Sequence, residues 1–549
     1  NLIHSLGING LLALAMYVVL AVGQLSLGQA AFMGIGAYAS ALLTLHMHWP
    51  LWAVLPAACV APAAFALAIG GPTLRLSGVY LAIATIGLGE VLRGLYLNVD
   101  TFGGALGLSG IPIETEAWQI FGLLGLAMLA LVLVGRSRIG RAMEAMREDE
   151  MAAEVMGVNV RRYRLGALLA AAVLSGLAGA LDAHGSSFIG PASYGFEPAV
   201  TILSFALLGG IGNPAAPVVG AAILTLLPEV LRGLANARMV VDGTIIVIVV
   251  LFLPRGIVPW RMRKARGPAP GPRQGRALGT RTPVYGTGPC LELAGVGRRF
   301  AGLVALDDVT FAVAPGTIHA VIGPNGAGKT TLFNLVSGLL PPGTGRIRLA
   351  GRDVTALPAN ARAALGLART FQNIRIFGAM TVLENVLTGL HPRLSAPLGG
   401  ILLHLPGAAR EEADAIARAR AELDFVGLAA VAEARADSLA YGDQRRLEIA
   451  RALAPDPVLL LLDEPAAGMN PAETASLAAL VRRIRERGIT VLLVEHDMGF
   501  VMGLSDRISV LNFGRLIFEG APSLVRAEPA VIEAYLGPKV AARLAAGVA

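Results

Sequence analysis

Long apolar segments dominate the first half of this chain and constrain its fold more than any other feature. They lie at 6–22, 27–45, 49–70, 79–97, 117–134, 164–182, 198–211, 215–231 and 240–258. About 20 apolar residues span a bilayer as a helix, and lipid excludes backbone whose polar groups lack internal hydrogen bonds. The sequence therefore predicts an N-terminal α-helical polytopic membrane domain over residues 1–260, with about eight or nine spans.

The charge distribution gives this domain an orientation. Hydrophobic residues make up 55% of the 549 residues and charged ones 15%, with a net charge of +7. Arginines cluster at 136–164, and basic residues follow the last span at 261–266, so we expect both stretches to be cytoplasmic. We interpret the positive charge as a sign of membrane topology and predict no nucleic-acid partner.

That orientation places Asn1 outside the cell and leaves Arg232 and Arg238 on the unfavourable side of the membrane. The alternative is that one short segment is re-entrant, so the exact span count stays open. An outer N-terminus without a preceding span, on a chain that starts with Asn1, suggests that native N-terminal residues are missing.

Two parts of the predicted membrane domain contain charged residues for which more than one interpretation is open. In the loop 140–157, apolar residues recur at helical spacing among charges, which fits a short helix docked on another domain or a solvated connecting helix. Glu90 and Arg93 lie at the edge of a span, where ionisable residues suggest a cargo site, but their spacing equally fits a structural pair.

Residues 261–289 are rich in basic residues, proline and glycine and contain no acidic residue. Such a stretch cannot bury a core, so it is predicted to be a tether that lies near anionic lipid headgroups. From residue 290 onward, short strand-like runs at 309–313, 318–322, 458–462 and 490–494 alternate with helical stretches. This pattern predicts a parallel-sheet α/β domain over 290–549, with an antiparallel portion near its start.

Residues 323–330 read GPNGAGKT and lie between a strand-like run and a helical one. This context is typical of a phosphate-binding loop, whose backbone N–H groups and following helix N-terminus surround phosphate. In such a loop Lys329 reaches the outer phosphates and the Thr330 hydroxyl reaches Mg²⁺.

Two carboxylates and a histidine follow buried strands at the same predicted edge. Asp463 and Glu464 come directly after an apolar run; Asp463 can hold Mg²⁺, usually through water, and Glu464 can polarise an attacking water. His496 follows the next strand and is placed to contact the γ-phosphate.

Two residues give weaker signals. Gln372 could sense Mg²⁺ or water, although a single glutamine carries little information. Phe300 precedes the phosphate loop and could stack on a nucleobase, or it could be an ordinary core aromatic.

Taken in order, these elements resemble the ATPase domain of an ABC transporter over all of 290–549. The stretches that carry the closer resemblance to the G-type ATPase of branched-chain amino acid importers are TFQNIRIF at 370–377, LAYGDQRRLEIARAL at 439–453 and DEPAAGMNP at 463–471. The first half is similar to the M-type permease of the same systems in RLSGVYLAIATIGLGEVLR at 75–93, AMREDE at 145–150 and FLPRGI at 252–257.

The resemblance implies a C-terminal P-loop NTPase of the ABC type that binds ATP and Mg²⁺. It implies catalytic roles for Glu464, His496 and Gln372 and metal roles for Thr330, Gln372 and Asp463. The implied nucleotide-binding residues are Phe300, Gly323, Asn325, Gly326, Gly328, Lys329, Thr330, Thr331, Tyr441 and Gly442.

Such ATPases work as head-to-tail pairs, so Tyr441 and Gly442 would serve the ATP bound by the opposite ATPase. Loop 140–157 resembles the coupling helix that docks near the glutamine loop. This chain departs from the general ABC signature at Ala440, where serine is usual, and at Asp443, where glutamine is usual. The effect of both departures stays open.

The resemblance implies ATP-driven import of branched-chain amino acids, or of closely related small amino acids and amides, across the bacterial inner membrane. Import of urea, short amides or aromatic acids is the alternative, and export is a further one. The implied partners are a periplasmic substrate-binding protein and either a second permease with a second ATPase or another copy of this chain. The ATPase domain would face the cytoplasm.

Overall fold

The computed structural model describes residues 2–73, 76, 78–230, 251–252, 256–258, 288–403 and 405–536. The chain forms two compact units. The helical unit contains Asn1–Arg147 and Val160–Gly267, and the sheet unit contains Glu148–Asn159 and Pro268–Ala549. Most of the predicted apolar segment 240–258 and of the predicted tether 261–289 lies outside the described residues.

The N-terminal part of the chain is almost entirely helical. Its elements are α1 (Leu2–Ala21), α2 (Gln29–Met47), α3 (Leu51–Thr73), α4 (Val79–Asn98), β1 (Leu108–Ser109), α5 (Ala117–Gly135), α6 (Arg138–Glu148), α7 (Glu150–Val155), α8 (Val160–Ser186), β2 (Phe188–Ile189), α9 (Phe196–Gly209) and α10 (Ala215–Val230). Of the helices described, six are long and apolar enough to cross a membrane: α1 to α5 and α8. The protein is therefore a multi-pass membrane protein, as predicted.

Glycine allows the helices of this unit to approach closely. A Cβ on Gly36 of α2 would lie 2.3 Å from the carbonyl oxygen of Gly176 in α8, and one on Gly179 would lie 2.1 Å from that of Met33. A Cβ on Gly176 would also lie 2.2 Å from the carbonyl oxygen of Ala58 in α3. Small residues at helix contacts are a common means of packing in membranes, where burial from water supplies little attraction between helices.

The two charged residues considered as a cargo site, Glu90 and Arg93, form a pair. The Nε of Arg93 donates to Oε2 of Glu90 at 2.7 Å, and Oε1 of Glu90 accepts from the N–H of Phe196 at 2.9 Å. One carboxylate oxygen of Glu90 thus pairs within α4, and the other ties α4 to the start of α9, which favours the structural interpretation.

The sheet unit alternates strands and helices. Its elements are β3 (Leu291–Phe300), β4 (Leu303–Val313), β5 (Ile318–Ile322), α11 (Lys329–Ser337), β6 (Thr344–Leu349), β7 (Arg352–Asp353), α12 (Ala359–Ala364), β8 (Leu367–Arg369), α13 (Val382–Gly389), α14 (Leu398–Leu402), α15 (Pro406–Val426), α16 (Tyr441–Leu453), β9 (Leu459–Asp463), α17 (Pro471–Glu486), β10 (Thr490–Val494), α18 (Met498–Leu504), β11 (Arg507–Asn512), β12 (Arg515–Gly520), α19 (Pro522–Val525) and α20 (Pro529–Leu536). The α/β fold with an antiparallel portion near its start is confirmed.

A six-stranded sheet in the order β12-β11-β5-β10-β9-β8 forms the centre of this unit. Four strands from the first part of the unit form a second, antiparallel sheet in the order β4-β3-β6-β7. Strands β8, β9, β10, β5 and β11 are parallel, and β5, β9 and β10 are buried along their whole length. The residues that follow these strands therefore meet at one edge, where ligands bind in open α/β sheets.

Candidate nucleotide-binding site

The loop 323–330 leaves β5 and enters α11 with a backbone that requires glycine at two positions. Gly323 has φ +154 and a Cβ there would lie 2.2 Å from the carbonyl oxygen of Leu511. Gly328, the residue before α11, has φ +102, and its Cβ would lie 2.6 Å from the carbonyl oxygen of Ala305. Only glycine adopts such a conformation so close to other backbone.

The other predicted residues of the loop lie where the sequence placed them, at the N-terminus of α11. Asn325, Gly326 and Thr330 are exposed, and Thr331 is half-buried in the first turn. The unpaired N–H groups of a helix start can bind phosphate there.

Lys329 is buried, and its ammonium group is held inside the loop. Its Nζ donates to the carbonyl oxygens of Gly323 at 2.7 Å and Pro324 at 3.0 Å. Burial lowers the pKa of Lys329, and the charges of Glu464 and Asp463 oppose that shift. A positive charge so placed can bind the outer phosphates of a nucleotide.

Two predicted residues from separate segments converge on the carboxylate of a third. The Nε2 of Gln372 donates to Oε2 of Glu464 at 2.8 Å, and Nδ1 of His496 lies 3.5 Å from the same oxygen. Glu464 has φ +44, a strained conformation for a residue other than glycine, and its N–H donates to the carbonyl oxygen of Val494 at 2.8 Å. A fixed backbone therefore aims this carboxylate, which can accept a proton from water.

Asp463, at the end of β9, has a buried partner that sequence reasoning did not identify. Its Oδ2 accepts from Nη2 of Arg369 at 2.9 Å, and Arg369 also donates to Asn334 at 2.7 Å and to Ser337 at 2.9 Å. Burial raises the pKa of Asp463, and the charge of Arg369 opposes that shift. One carboxylate oxygen is thus committed to an arginine at the end of β8.

Glu495 is a second residue that sequence reasoning missed. It is buried, and its carboxylate accepts from the N–H of Ala466 at 2.8 Å and from that of His496 at 3.0 Å. Glu495 thus holds together the turns that follow β9 and β10. The sequence signal for it was an acidic residue directly after a strand-like run that is mostly apolar.

The remaining predicted residues lie in other parts of the unit. Phe300 ends β3 with a half-exposed ring and has the guanidinium of Arg298 5.1 Å from its centroid, so it is not a core aromatic. Tyr441 begins α16, and its hydroxyl donates to the carbonyl oxygen of Ala467 at 3.1 Å. A Cβ on Gly442 would lie 3.2 Å from Oε1 of Glu473.

The two departures from the ABC signature lie at the start of the same helix. Ala440 is the residue before α16 and supplies no side-chain cap. Asp443 pairs with Arg446 at 3.6 Å, and both side chains are exposed to similar degrees. The extra negative charge of Asp443 therefore has a neighbouring positive partner.

The segment Glu148–Asn159, called the coupling segment below, packs on the sheet unit close to Gln372. Oδ2 of Asp149 accepts from Nη1 of Arg375 at 2.7 Å, and the Glu148 carboxylate accepts from the N–H of Ala379 at 3.1 Å. A Cβ on Gly157 would lie 2.3 Å from the ring of Pro392. This geometry favours docking over the solvated alternative for this part of the loop 140–157.

Comparison with protein families identifies both halves. Residues 1–252 match the model described as "Branched-chain amino acid transport system / permease component", and residues 306–467 match "ABC transporter". Residues 515–537 match "Branched-chain amino acid ATP-binding cassette transporter". The chain is an ABC transporter subunit in which a permease and an ATP-hydrolysing domain are fused.

Individual relatives identify the family within the ABC transporters. The ATP-binding proteins LivG of Escherichia coli K12 and BraF of Pseudomonas aeruginosa, both named for high-affinity branched-chain amino acid transport, are each 46% identical over 250 residues. The match covers 45% of this chain and 98% of each relative. The chain belongs to the branched-chain amino acid family of ABC transporters. A crystal structure of a nucleotide-free ATP-binding cassette from an ABC transporter is 31% identical, with 46% of this chain and 100% of that one covered and a TM-score of 0.40.

Proposed function

We propose that this chain imports branched-chain amino acids, or closely related small amino acids and amides, across the bacterial inner membrane. The observation that carries the proposal is the convergence of Gln372 and His496 on Glu464 in a chain that also carries the permease of this family. The identity to LivG and BraF supports branched-chain amino acids as the cargo.

In the proposed cycle, the N–H groups of residues 323–330 and the start of α11 hold the phosphates, and Lys329 binds the outer ones. Bound Mg²⁺ would neutralise negative charge on the phosphates as the bond breaks. Thr330 and Asp463 offer the hydroxyl and carboxylate oxygens that suit this ion, and Gln372 offers an amide oxygen.

Glu464 is the proposed general base. It polarises the attacking water and accepts its proton, while Gln372 and His496 hold the carboxylate and contact the water or the γ-phosphate. Phe300 offers a half-exposed ring on which a nucleobase can stack. In this proposal, each of these residues acts from the position that it has in the structure.

The signature residues are proposed to complete an ATP site on another ATPase. Tyr441 and Gly442 begin α16, whose N-terminus favours negative charge. The second ATPase belongs either to a different subunit, which comes with a second permease, or to another copy of this chain. A periplasmic substrate-binding protein is proposed to deliver the cargo.

Proteoliposomes that enclose MgATP test the proposal when labelled cargo and the loaded binding protein are added outside. We expect uptake of leucine, isoleucine or valine, and loss of that uptake with Lys329→Ala. Stronger uptake of urea, acetamide or benzoate would change the assigned cargo. ATP-driven efflux, or no stimulation by any loaded binding protein, would contradict import.

A further inference from the structure

Helix α16 carries a buried cluster of charge that the nucleotide site does not use. Arg445, Glu448 and Arg451, called the triad below, all have fully buried side chains. Nη1 of Arg445 lies 2.8 Å from Oε2 of Glu448, and Nη2 of Arg451 lies 4.0 Å from Oε1 of the same carboxylate. Burial of charge is expensive, so such a cluster persists only when further hydrogen bonds satisfy it.

Glu448 supplies such bonds to the loop 371–375, which follows β8. Its Oε1 accepts from the N–H of Phe371 at 3.1 Å and, at a longer 3.5 Å, from the N–H of Arg375. Burial raises the pKa of Glu448, whereas the two arginines of the triad and these hydrogen bonds favour its charged form.

The two arginines hold the carbonyl groups of the same loop. Nη1 of Arg445 donates to the carbonyl oxygen of Phe371 at 2.6 Å, and its Nη2 donates to that of Gln372 at 2.8 Å. Nη2 of Arg451 donates to the carbonyl oxygen of Arg375 at 2.6 Å. Both ends of the loop backbone are therefore fixed to one face of α16.

The side chains of this loop point to two different functional places. Gln372 donates to the proposed catalytic Glu464. Arg375, three residues later, pairs with Asp149 of the coupling segment at 2.7 Å. A shift of the coupling segment would thus act on a loop that also holds the catalytic carboxylate.

Charge also links the coupling segment to the triad. Two arginines against one glutamate leave the triad with an excess of positive charge, and the charge of Asp149 acts on Arg451. On the other side, the charge of Arg445 acts on Asp463. Charges that act on each other at low dielectric form a continuous network, since solvent screens them little.

We propose that Arg445, Glu448 and Arg451 are positioning residues that transmit the position of the coupling segment to α16. Because the triad holds the loop 371–375, a movement of Asp149 would shift both Glu464 of this chain and the start of α16, where the signature residues lie. The inference rests on the proposed function in assigning a catalytic role to Glu464 and in assigning those signature residues to a second ATP site.

Hydrogen exchange on the full chain in lipid nanodiscs, without cargo or binding protein, tests the transmission. We expect Asp149→Asn to speed the exchange of the α16 amides by about fivefold, because the segment loses its hold on Arg375. In a Glu448→Gln background the same change is expected to alter α16 exchange by less than about twofold. An unaltered α16 in the Asp149→Asn protein, or an undiminished response in the double variant, would overturn the proposal.

A matched control is available on α15. Glu422 is buried and pairs with Arg418 and with the partly exposed Arg487, each at 2.8 Å, so it is a second buried glutamate held between two arginines. Glu422→Gln should lower the unfolding temperature but leave the response of α16 to Asp149→Asn at about fivefold. Equal loss of that response in both backgrounds would mean that the triad is merely structural.

Arg451→Lys replaces Glu448→Gln if the latter fails to fold, because lysine keeps the charge but cannot reproduce the planar guanidinium geometry. The same reduction of the α16 response is expected, and its absence would contradict the proposal. Since the experiment contains no cargo, its failure is distinct from a failure of the uptake assay.

Discussion

The helical unit and the sheet unit bury polar groups in opposite ways. Buried polar residues within the membrane-spanning helices of the described chain include the uncharged Gln29, Ser40 and Ser175, whereas the buried residues near the nucleotide site include charged pairs, Arg369 with Asp463 and Arg445 with Glu448. Lipid makes charge costly, so the helical unit is specified by close packing of small residues. The sheet unit instead uses buried charge to aim reactive groups.

From this contrast we expect the largest effect on activity when the charge of Glu464, the proposed general base, is removed. Glu464→Gln should lower ATP hydrolysis about 100- to 10,000-fold, because the amide cannot accept the proton from water. Nucleotide binding should persist, since Lys329 and the loop 323–330 are unchanged. Steady-state hydrolysis and equilibrium ATP binding check both parts, and hydrolysis within tenfold of wild type would remove Glu464 from its proposed role.

The next effect is a pH dependence of stability in the sheet unit. His319 is buried in β5, its Nε2 lies 2.8 Å from the hydroxyl of Ser509, and its ring stacks on Phe311. Burial, together with the charge of Arg507, lowers the pKa of His319 to about 4. The folded state therefore keeps this residue neutral at a pH where the unfolded state takes up a proton.

A lowered histidine pKa gives full stability above about pH 6.5, and that stability is lost as the pH falls toward 4. The expected loss is about 3 kcal/mol at pH 4, and His319→Gln should remove that part of the slope. Hydrogen exchange of β5, corrected for intrinsic rates, measures it. A slope that is unchanged in the variant would assign the pH dependence to other groups.

In the helical unit, we expect added side-chain volume at helix contacts to lower the unfolding free energy. Gly36→Ala should lower the unfolding free energy by about 1–3 kcal/mol, because its Cβ has no space against Gly176. Gly125→Ala in α5 is the matched control: no heavy atom lies within 4 Å of a Cβ there, and alanine favours the helix by up to about 1 kcal/mol. Tryptophan fluorescence of the detergent-solubilised chain reports on this unit, and equal effects of both changes would contradict the packing argument.

The smallest effect on stability is expected at the coupling segment. Asp149→Asn breaks an ion pair whose arginine is 38% exposed, so the loss should stay under about 1 kcal/mol. Asp307→Asn, which removes the exposed partner of Arg515, should cost a similar amount. Thermal unfolding of both variants checks the comparison, and a cost of several kcal/mol for Asp149→Asn would mean that it behaves as a buried charge.

Local sequence patterns were enough to predict the phosphate loop and the sheet that presents it. The GPNGAGKT stretch and the apolar run before Asp463 each combine a strand with its functional residues within a few positions. Parallel pairing then brings Val494 beside Asp463. Gln372 and His496 were predicted from their order along the chain, and their convergence on Glu464 required the three-dimensional fold.

Long-range pairs could not be predicted from local patterns. Arg369 and Asp463 are far apart in sequence, and nothing around Arg369 distinguishes its charge from that of a surface arginine. In the helical unit, a Cβ on Gly107 would lie 2.2 Å from the carbonyl oxygen of Ile189, so this glycine is required by the pairing of β1 with β2.

The coupling segment increases the number of times that the polypeptide passes between the two units. It lies within the stretch that matches the permease, yet its contacts place it in the sheet unit. The polypeptide therefore passes from one unit to the other after Arg147, returns after Asn159 and passes again after Gly267. A single proteolytic cut downstream of Gly267 would leave the coupling segment covalently joined only to the helical unit, so its contacts with Arg375 and Ala379 would become noncovalent links to the rest of the sheet unit.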